Sequence, residues 1–252
     1  MQLLELAEKQ RATVPLMIAH RVMGVTLVHT GEIAQGRAHL DRALALYDPA
    51  AHRPLAMRFG QDIRVAILAY RSWAQWFLGY PEAALADKDA ALKEARIIGQ
   101  AATLMFAPNF TLYTSLWCGD YASANMQCNQ LVALAEEKGA FAWKALGKLH
   151  RGCLWALTGH ASDAVQAITS AITTLRSSGA TAMMPWYLSC LARAYAELGQ
   201  FDDAWRYSDE AMTTTKTTKE RQCEAEVYRM AGEIALLSPQ PDSGMRTKGV
   251  CR

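Results

Sequence analysis

Apolar residues recur three and four positions apart along most of this chain, and glycine cuts the helical runs they form at regular intervals. From Leu191 to Met212 the sequence reads LARAYAELGQFDDAWRYSDEAM. Ala192, Tyr195 and Leu198 keep one helical face, Gly199 interrupts it, and Ala204 and Ala211 resume it. Asp202 and Asp203 open the second run, where negative charge opposes the positive end of a helix dipole. Two helices joined by a glycine turn form a hairpin, and its apolar face stays uncovered until another hairpin stacks on it.

The pattern repeats. Gly79, Gly119, Gly159 and Gly199 stand forty residues apart, with Gly31 an earlier member of the series. Five positions after each turn comes a tiny residue: Gly36, Ala84, Ala124, Ala164, Ala204. Twelve after come Ala43, Ala91, Leu131, Ala171 and Ala211, and seven before stand Gly24, Ser72, Leu112, Gly152 and Ala192. A second glycine series, Gly99, Gly139 and Gly179, falls midway, where each second helix should end on a left-handed cap. The spacing predicts an all-α chain of stacked hairpins with a period of about 40 residues.

Taken in order, residues 2–10 read as the end of a helix, and Thr13 and Pro15 suit the start of the next. Hairpins are expected over residues 14–47, 62–98, 100–138, 141–177 and 181–214, followed by an unpaired helix over 219–237. Together these make one repeat domain, residues 1–237. The first step is forty-eight residues instead of forty, and the surplus lies in YDPAAHRPLAMRFGQD, Tyr47 to Asp62, expected as the one long loop. Pro108 falls inside a first helix and is expected to kink or split it, since it has no amide hydrogen to donate. SPQPDSGMRTKGVCR, residues 238–252, has no apolar periodicity and reads as a disordered tail.

A net charge of +2 and the absence of a clustered basic face argue against a nucleic-acid or anionic-membrane surface. No apolar run approaches the ~20 residues of a membrane span, and the charged amino terminus is unlike a signal peptide. The six cysteines, 118, 128, 153, 190, 223 and 251, form no CxxC pair and read as reduced core residues of a cytoplasmic protein. Six histidines include no metal-ligand spacing, so neither metal nor cofactor is expected. GEIAQGRA, Gly31 to Ala38, has the glycine spacing of a phosphate loop but lacks its Lys-Ser/Thr and sits at a helix–helix turn. No pairing of nucleophile and base is found, so catalytic residues are not assigned.

The register of small residues around each turn resembles the tetratricopeptide repeat, whose usual period is nearer thirty-four residues. That resemblance implies an α-solenoid, a right-handed superhelix whose first helices line a concave groove. The family's groove positions fall two, three, six, ten and thirteen residues before the turn. Carried onto this chain they include Arg21, His29, Trp73, Trp76, Asn109, Tyr113, Trp117, Trp186 and Arg193. Trp73, Trp76, Tyr113 and Trp117 would then offer an aromatic platform for a protein or peptide. The competing reading is that such aromatics pack against the neighbouring hairpin, as Trp155 and Tyr195, four before their turns, are expected to do.

A longer resemblance lies in LVHTGEIAQGRAHLDRALALYDPAAHRPLAMRFGQDIRVAILAYRSWAQWFLGYPEAALA and in later segments such as LARAYAELGQFDDAW. These are similar to the carboxy-terminal helical-repeat region of bacterial class III adenylate/guanylate cyclases, which carry a cyclase domain and a central ATPase module. The resemblance implies a non-catalytic regulatory or interaction scaffold, with cyclase or ATPase domains of the same system among its partners. The alternative is a small-molecule sensor module of an ATPase-and-repeat regulator. Neither cyclase nor ATPase segments lie in these residues. SGMRTKGVCR departs from the family where a further helix would follow, which implies a fragment whose uncapped ends self-associate.

Overall fold

A computed structural model describes residues 2–10, 12–177, 179 and 182–238, and every regular element among them is helical. The chain divides into two compact units, residues 1–147 and 148–252. The first holds α1 (Gln2–Gln10), α2 (Thr13–His29), α3 (Ile33–Ala45), the one-turn helices α4 (Pro49–His52) and α5 (Ala56–Phe59), α6 (Ile63–Phe77), α7 (Pro81–Ile98), α8 (Ala101–Trp117) and α9 (Tyr121–Glu137). Helix α10 (Phe141–Leu157) begins in the first unit and ends in the second. The second then holds α11 (Ala161–Ser177), α12 (Met184–Glu197), α13 (Phe201–Thr218) and α14 (Glu224–Leu237). The tail over 239–252, Cys251 and the expected hairpin start at Thr181 lie outside the described residues.

Antiparallel hairpins are the building block: α2 packs on α3, α6 on α7, α8 on α9, and α12 on α13. Each turn glycine has a positive φ, from 72° at Gly119 to 92° at Gly31, which L side chains rarely adopt. The same two bonds close the turns. Gly79 N–H donates to the Trp76 carbonyl and Tyr80 N–H reaches back to that of Gln75, both at 2.9 Å. Gly119 with Asp120, and Gly199 with Gln200, repeat the pair. This is the Schellman arrangement, which satisfies the last carbonyls of the first helix. The midway glycines, Gly99, Gly139 and Gly179, also lie at positive φ.

Small residues sit where helices cross. A Cβ on Gly24 would stand 2.9 Å from the Gly36 carbonyl oxygen, and one on Gly36 would stand 2.9 Å from that of Gly24. Ala84, Ala124, Ala164 and Ala204 occupy the same place in later hairpins and are fully buried. The two helices of a hairpin are used differently. In the first unit α6 and α8 are buried around most of their circumference, whereas α7 and α9 bury only a narrow stripe. Helices α6 and α8 are therefore the inner layer, and α7 and α9 cover them.

The Tyr47–Asp62 segment is not an irregular loop. It folds into α4, a 3-10 turn and α5, and polar contacts pin it to its neighbours. Asp62, with no exposed surface, accepts from Tyr47 Oη at 2.7 Å and from Val65 N–H at 3.0 Å, while its own N–H donates to Thr103 Oγ1 at 2.9 Å. Arg53 pairs with Glu94 at 2.6 Å and Gln100 Nε2 donates to the Ala56 carbonyl. Pro108 does not split its helix: α8 runs unbroken through it. Buried apolar neighbours hold the helix together where one backbone bond is lost. Two expected boundaries move as well. Helix α13 continues to Thr218 and stops where Lys219 turns left-handed, so α14 begins at Glu224 instead of Lys219.

Candidate functional site

Three first helices of the first unit, α2, α6 and α8, bring together most of the residues the repeat register selected. Trp73 is the hub. It is fully buried, its indole Nε1 donates to the Phe110 carbonyl at 2.7 Å, and it meets His29, Tyr70, Tyr113 and Trp117 edge-on. Tyr113 and Asn109 are buried too. These three side chains therefore hold the inner layer together and present almost no surface to a partner.

The network reaches solvent at its ends. Trp76 and Trp117 stack with ring centroids 5.2 Å apart, Phe77 closes on Trp117 at 4.9 Å, and all three are half-buried. His29 is half-buried, its ring 5.7 Å from that of Trp73. Arg21 lies on α2 beside Tyr70 and is also half-buried. Burial pulls the Arg21 guanidinium below its ordinary range, and the nearby Tyr70 hydroxyl opposes that pull. Burial pushes the Tyr70 phenol up, with Arg21 working against it.

Tyr70, Phe106, Phe110 and Phe77 belong to this cluster and were not selected from the sequence. Phe106 and Phe77 stand thirteen and two residues before their turns, at groove positions, so the register alone could have found them. Tyr70 and Phe110 stand nine before, a position outside the family's groove set. Tyr70 of α6 meets Phe110 of α8 at 5.2 Å, and Phe110 meets Phe106 one turn back on its own helix at 4.3 Å.

Trp186 and Arg193 lie on α12 in the second unit. Trp186 is buried, and Arg193 pairs with Glu197 at 3.2 Å and Glu233 at 3.5 Å. Tyr195 of the same helix stacks on Tyr207 at 5.4 Å, a packing role within the hairpin.

Charge is arranged on the other side of the first helices. Arg71 on α6 grips Asp87 of α7 with two nitrogens, at 2.6 and 2.7 Å, and Asp41 of α3 with a third at 3.0 Å. Lys88 is buried and reaches Asp120 at 3.4 Å. The Arg71–Asp41 and Lys88–Asp120 pairs link successive hairpins, and Arg71–Asp87 ties the two helices of one hairpin. Among the described residues no group of three His, Cys, Asp or Glu side chains is placed to hold a metal ion. Four cysteines, 128, 153, 190 and 223, are buried and unbridged, and Cys118 is half-buried.

Comparison with known proteins agrees with the hairpin register. A family profile described as tetratricopeptide repeat matches residues 17–42, the α2–α3 hairpin, and 185–204, the α12–α13 turn. A search of curated proteins found no match. Among solved structures, the crystal structure of the apo form of RapI superposes with a TM-score of 0.56 at 13% identity, covering 86% of this chain and 77% of that one. The chain is thus a tetratricopeptide-type helical repeat protein in its fold. Among the described residues no helix is long and apolar enough to cross a membrane.

Proposed function

We propose that this chain is a non-catalytic regulatory scaffold that binds a protein or peptide on the first-helix layer of its first unit. The observation that carries this reading is the aromatic network itself. It is anchored on buried Trp73 and ends in half-exposed Trp76, Trp117 and His29. Rigid aromatic side chains give up little conformational freedom on contact and anchor many protein interfaces. Support also comes from the tetratricopeptide-type repeat and from the resemblance to the repeat region of nucleotide cyclases, where such a scaffold would serve the cyclase and ATPase parts of one system. Groove residues in this reading are Arg21, His29, Trp76 and Trp117 at the surface, with Trp73, Asn109 and Tyr113 supporting them from beneath.

The test is a peptide array probed with the purified chain and with the Trp76→Ala/Trp117→Ala double variant. Binding that is lost in the double variant, while its circular dichroism matches the parent, is expected. Equal binding by parent and variant would move the site elsewhere. Incubation with ATP or GTP and a divalent cation is expected to yield no cyclic nucleotide. Cyclic product from the purified chain would overturn the non-catalytic reading.

A further inference from the structure

We propose that His20 and His39 form a binding site for a divalent transition-metal ion of the zinc, nickel and copper class, held between α2 and α3. None of the groove residues takes part, so the site does not depend on the peptide-binding reading.

The two rings face each other across the hairpin. His20 Nδ1 and His39 Nδ1 are 2.9 Å apart, with ring centroids 5.1 Å apart and planes inclined by 42°. The helix crossing fixes that approach. His20 stands one turn before Gly24 and His39 one turn after Gly36, and these glycines bring the two backbones closer than a Cβ would allow. Because α2 and α3 run antiparallel, both histidines fall on the same level. His20 is buried and His39 half-buried, so packing holds one ligand while the other is open to an arriving ion.

Ring nitrogens at this distance share a proton, one donating and the other accepting. An ion would replace that proton. Zinc binds imidazole nitrogen at about 2.0–2.1 Å with tetrahedral angles, which sets two such nitrogens roughly 3.3 Å apart and their ring centres roughly 5 Å apart. The ring centres here stand at that separation. A tilt of half-buried His39 that moves Nδ1 by a few tenths of an ångström completes the fit.

A pair of imidazoles selects zinc, nickel or copper, whereas magnesium and calcium call for oxygen ligands. Water fills whatever positions the two imidazoles leave, as at other open sites. Arg42 acts on His39 electrostatically but is exposed, so it weakens the site without occupying it. A bound ion would pin α2 to α3 and stiffen the hairpin that carries His29 into the aromatic network.

The experiment uses the full chain without a histidine tag, freed of metal by chelator dialysis and titrated calorimetrically with zinc, nickel, copper and magnesium chlorides. One zinc ion per chain is expected, with copper the tightest and magnesium producing no response. Zinc at a hundredfold excess over its dissociation constant should raise the melting temperature by about 5 °C. His39→Gln should lower zinc affinity by at least about a hundredfold, more than the loss of a residue that merely orients a ligand. That variant carries the test, because His39 is half-buried and circular dichroism matching the parent verifies its fold. In nitrogen-detected spectra of the parent imidazoles, zinc should move the Nδ1 resonances of His20 and His39 and leave those of exposed His160 in place.

Unchanged zinc affinity in His39→Gln would mean an adventitious ion only and overturn the site. Absence of binding up to about 1 mM zinc, the weak end of specific affinity, would overturn it as well. So would an equal response to magnesium, or zinc-induced shifts confined to other histidines.

Discussion

His150 on α10 has no exposed surface, and its ring lies 5.9 Å from that of Tyr187. Burial pushes its pKa down to about 3 from an ordinary value near 6.5. The folded chain thus keeps this imidazole neutral while the unfolded chain protonates it below pH ~6.5. Unfolding takes up a proton across that window, so stability is present above it and falls as pH drops from ~6.5 towards 3. Over one full pH unit the loss approaches about 1.4 kcal/mol. Asp62 and Glu220 act in the opposite sense: burial raises their carboxyl pKa values, which favours folding in acid through the carboxylate range. The clean comparison is therefore urea unfolding at pH 7.0 and 5.5, where the parent is expected to lose stability and His150→Phe to show a flatter response. Identical slopes would mean the imidazole is hydrated in the folded chain. At this scale the sequence is only partly legible. His150 stands nine residues before its turn, a position that Tyr70 and Cys190 also bury, so the repeat register marks it as internal although as a residue type it is indistinguishable from a surface histidine. Trp73 and Trp76 are equally indistinguishable until the next hairpin is stacked on them, because neighbours, not residue type, decide which one becomes the hub.

Helix pairs obey simpler rules, and there the sequence is far more informative. A crossing closer than a Cβ allows can be built only from glycine. Gly36→Ala would place its new carbon within 2.9 Å of the Gly24 carbonyl oxygen and of the Val28 nitrogen, both backbone atoms that cannot swing away. Its expected cost is about 1–3 kcal/mol, measured by denaturant midpoint. An unchanged midpoint would mean that α2 and α3 separate freely. The glycine and alanine series made these crossings visible because steric exclusion acts at fixed positions in every hairpin. The insertion between the first two hairpins followed no such repeat. Its prolines suggested a loop, yet Asp62, Tyr47 and Thr103 hold it as short helical turns through bonds between residues up to forty-one apart. Thr103→Val would strand the Asp62 N–H in a site with no exposed surface, at an expected cost of about 1–3 kcal/mol. Hydrogen exchange of residues 48–61 should quicken in that variant while α9 is unaffected. Pro108 taught the reverse lesson. A local rule against proline in helices was outweighed by the apolar burial of nearly every residue around it.

A repeat protein differs from a globular core in how far a perturbation travels. Each hairpin contacts its neighbours alone, so stability is close to a sum of repeat and nearest-neighbour contributions. Gly36 belongs to a crossing made by Gly24, Val28 and Leu40, whereas Ala204 belongs to a cluster with Ala192, Ala196 and Ile234. The two share no partner. Ala204→Val would force extra volume into a site with no exposed surface, again at about 1–3 kcal/mol. The double variant Gly36→Ala/Ala204→Val is then expected to lose the sum of the single losses within about 0.5 kcal/mol. Amide exchange should locate each effect, rising in α2 and α3 for the first change and in α12 to α14 for the second. A shortfall or excess beyond ~1 kcal/mol, or exchange that rises everywhere in either single variant, would show coupling on the scale of the whole chain. Under additivity, ligand binding on the first unit stabilises the hairpins it touches and leaves α12 to α14 to unfold as before. Under coupling, the same binding event would be felt at α14, which is the behaviour a regulatory scaffold needs in order to transmit a signal along its length. The additivity measurement therefore decides between a passive docking platform and a transmitting one before any partner is known.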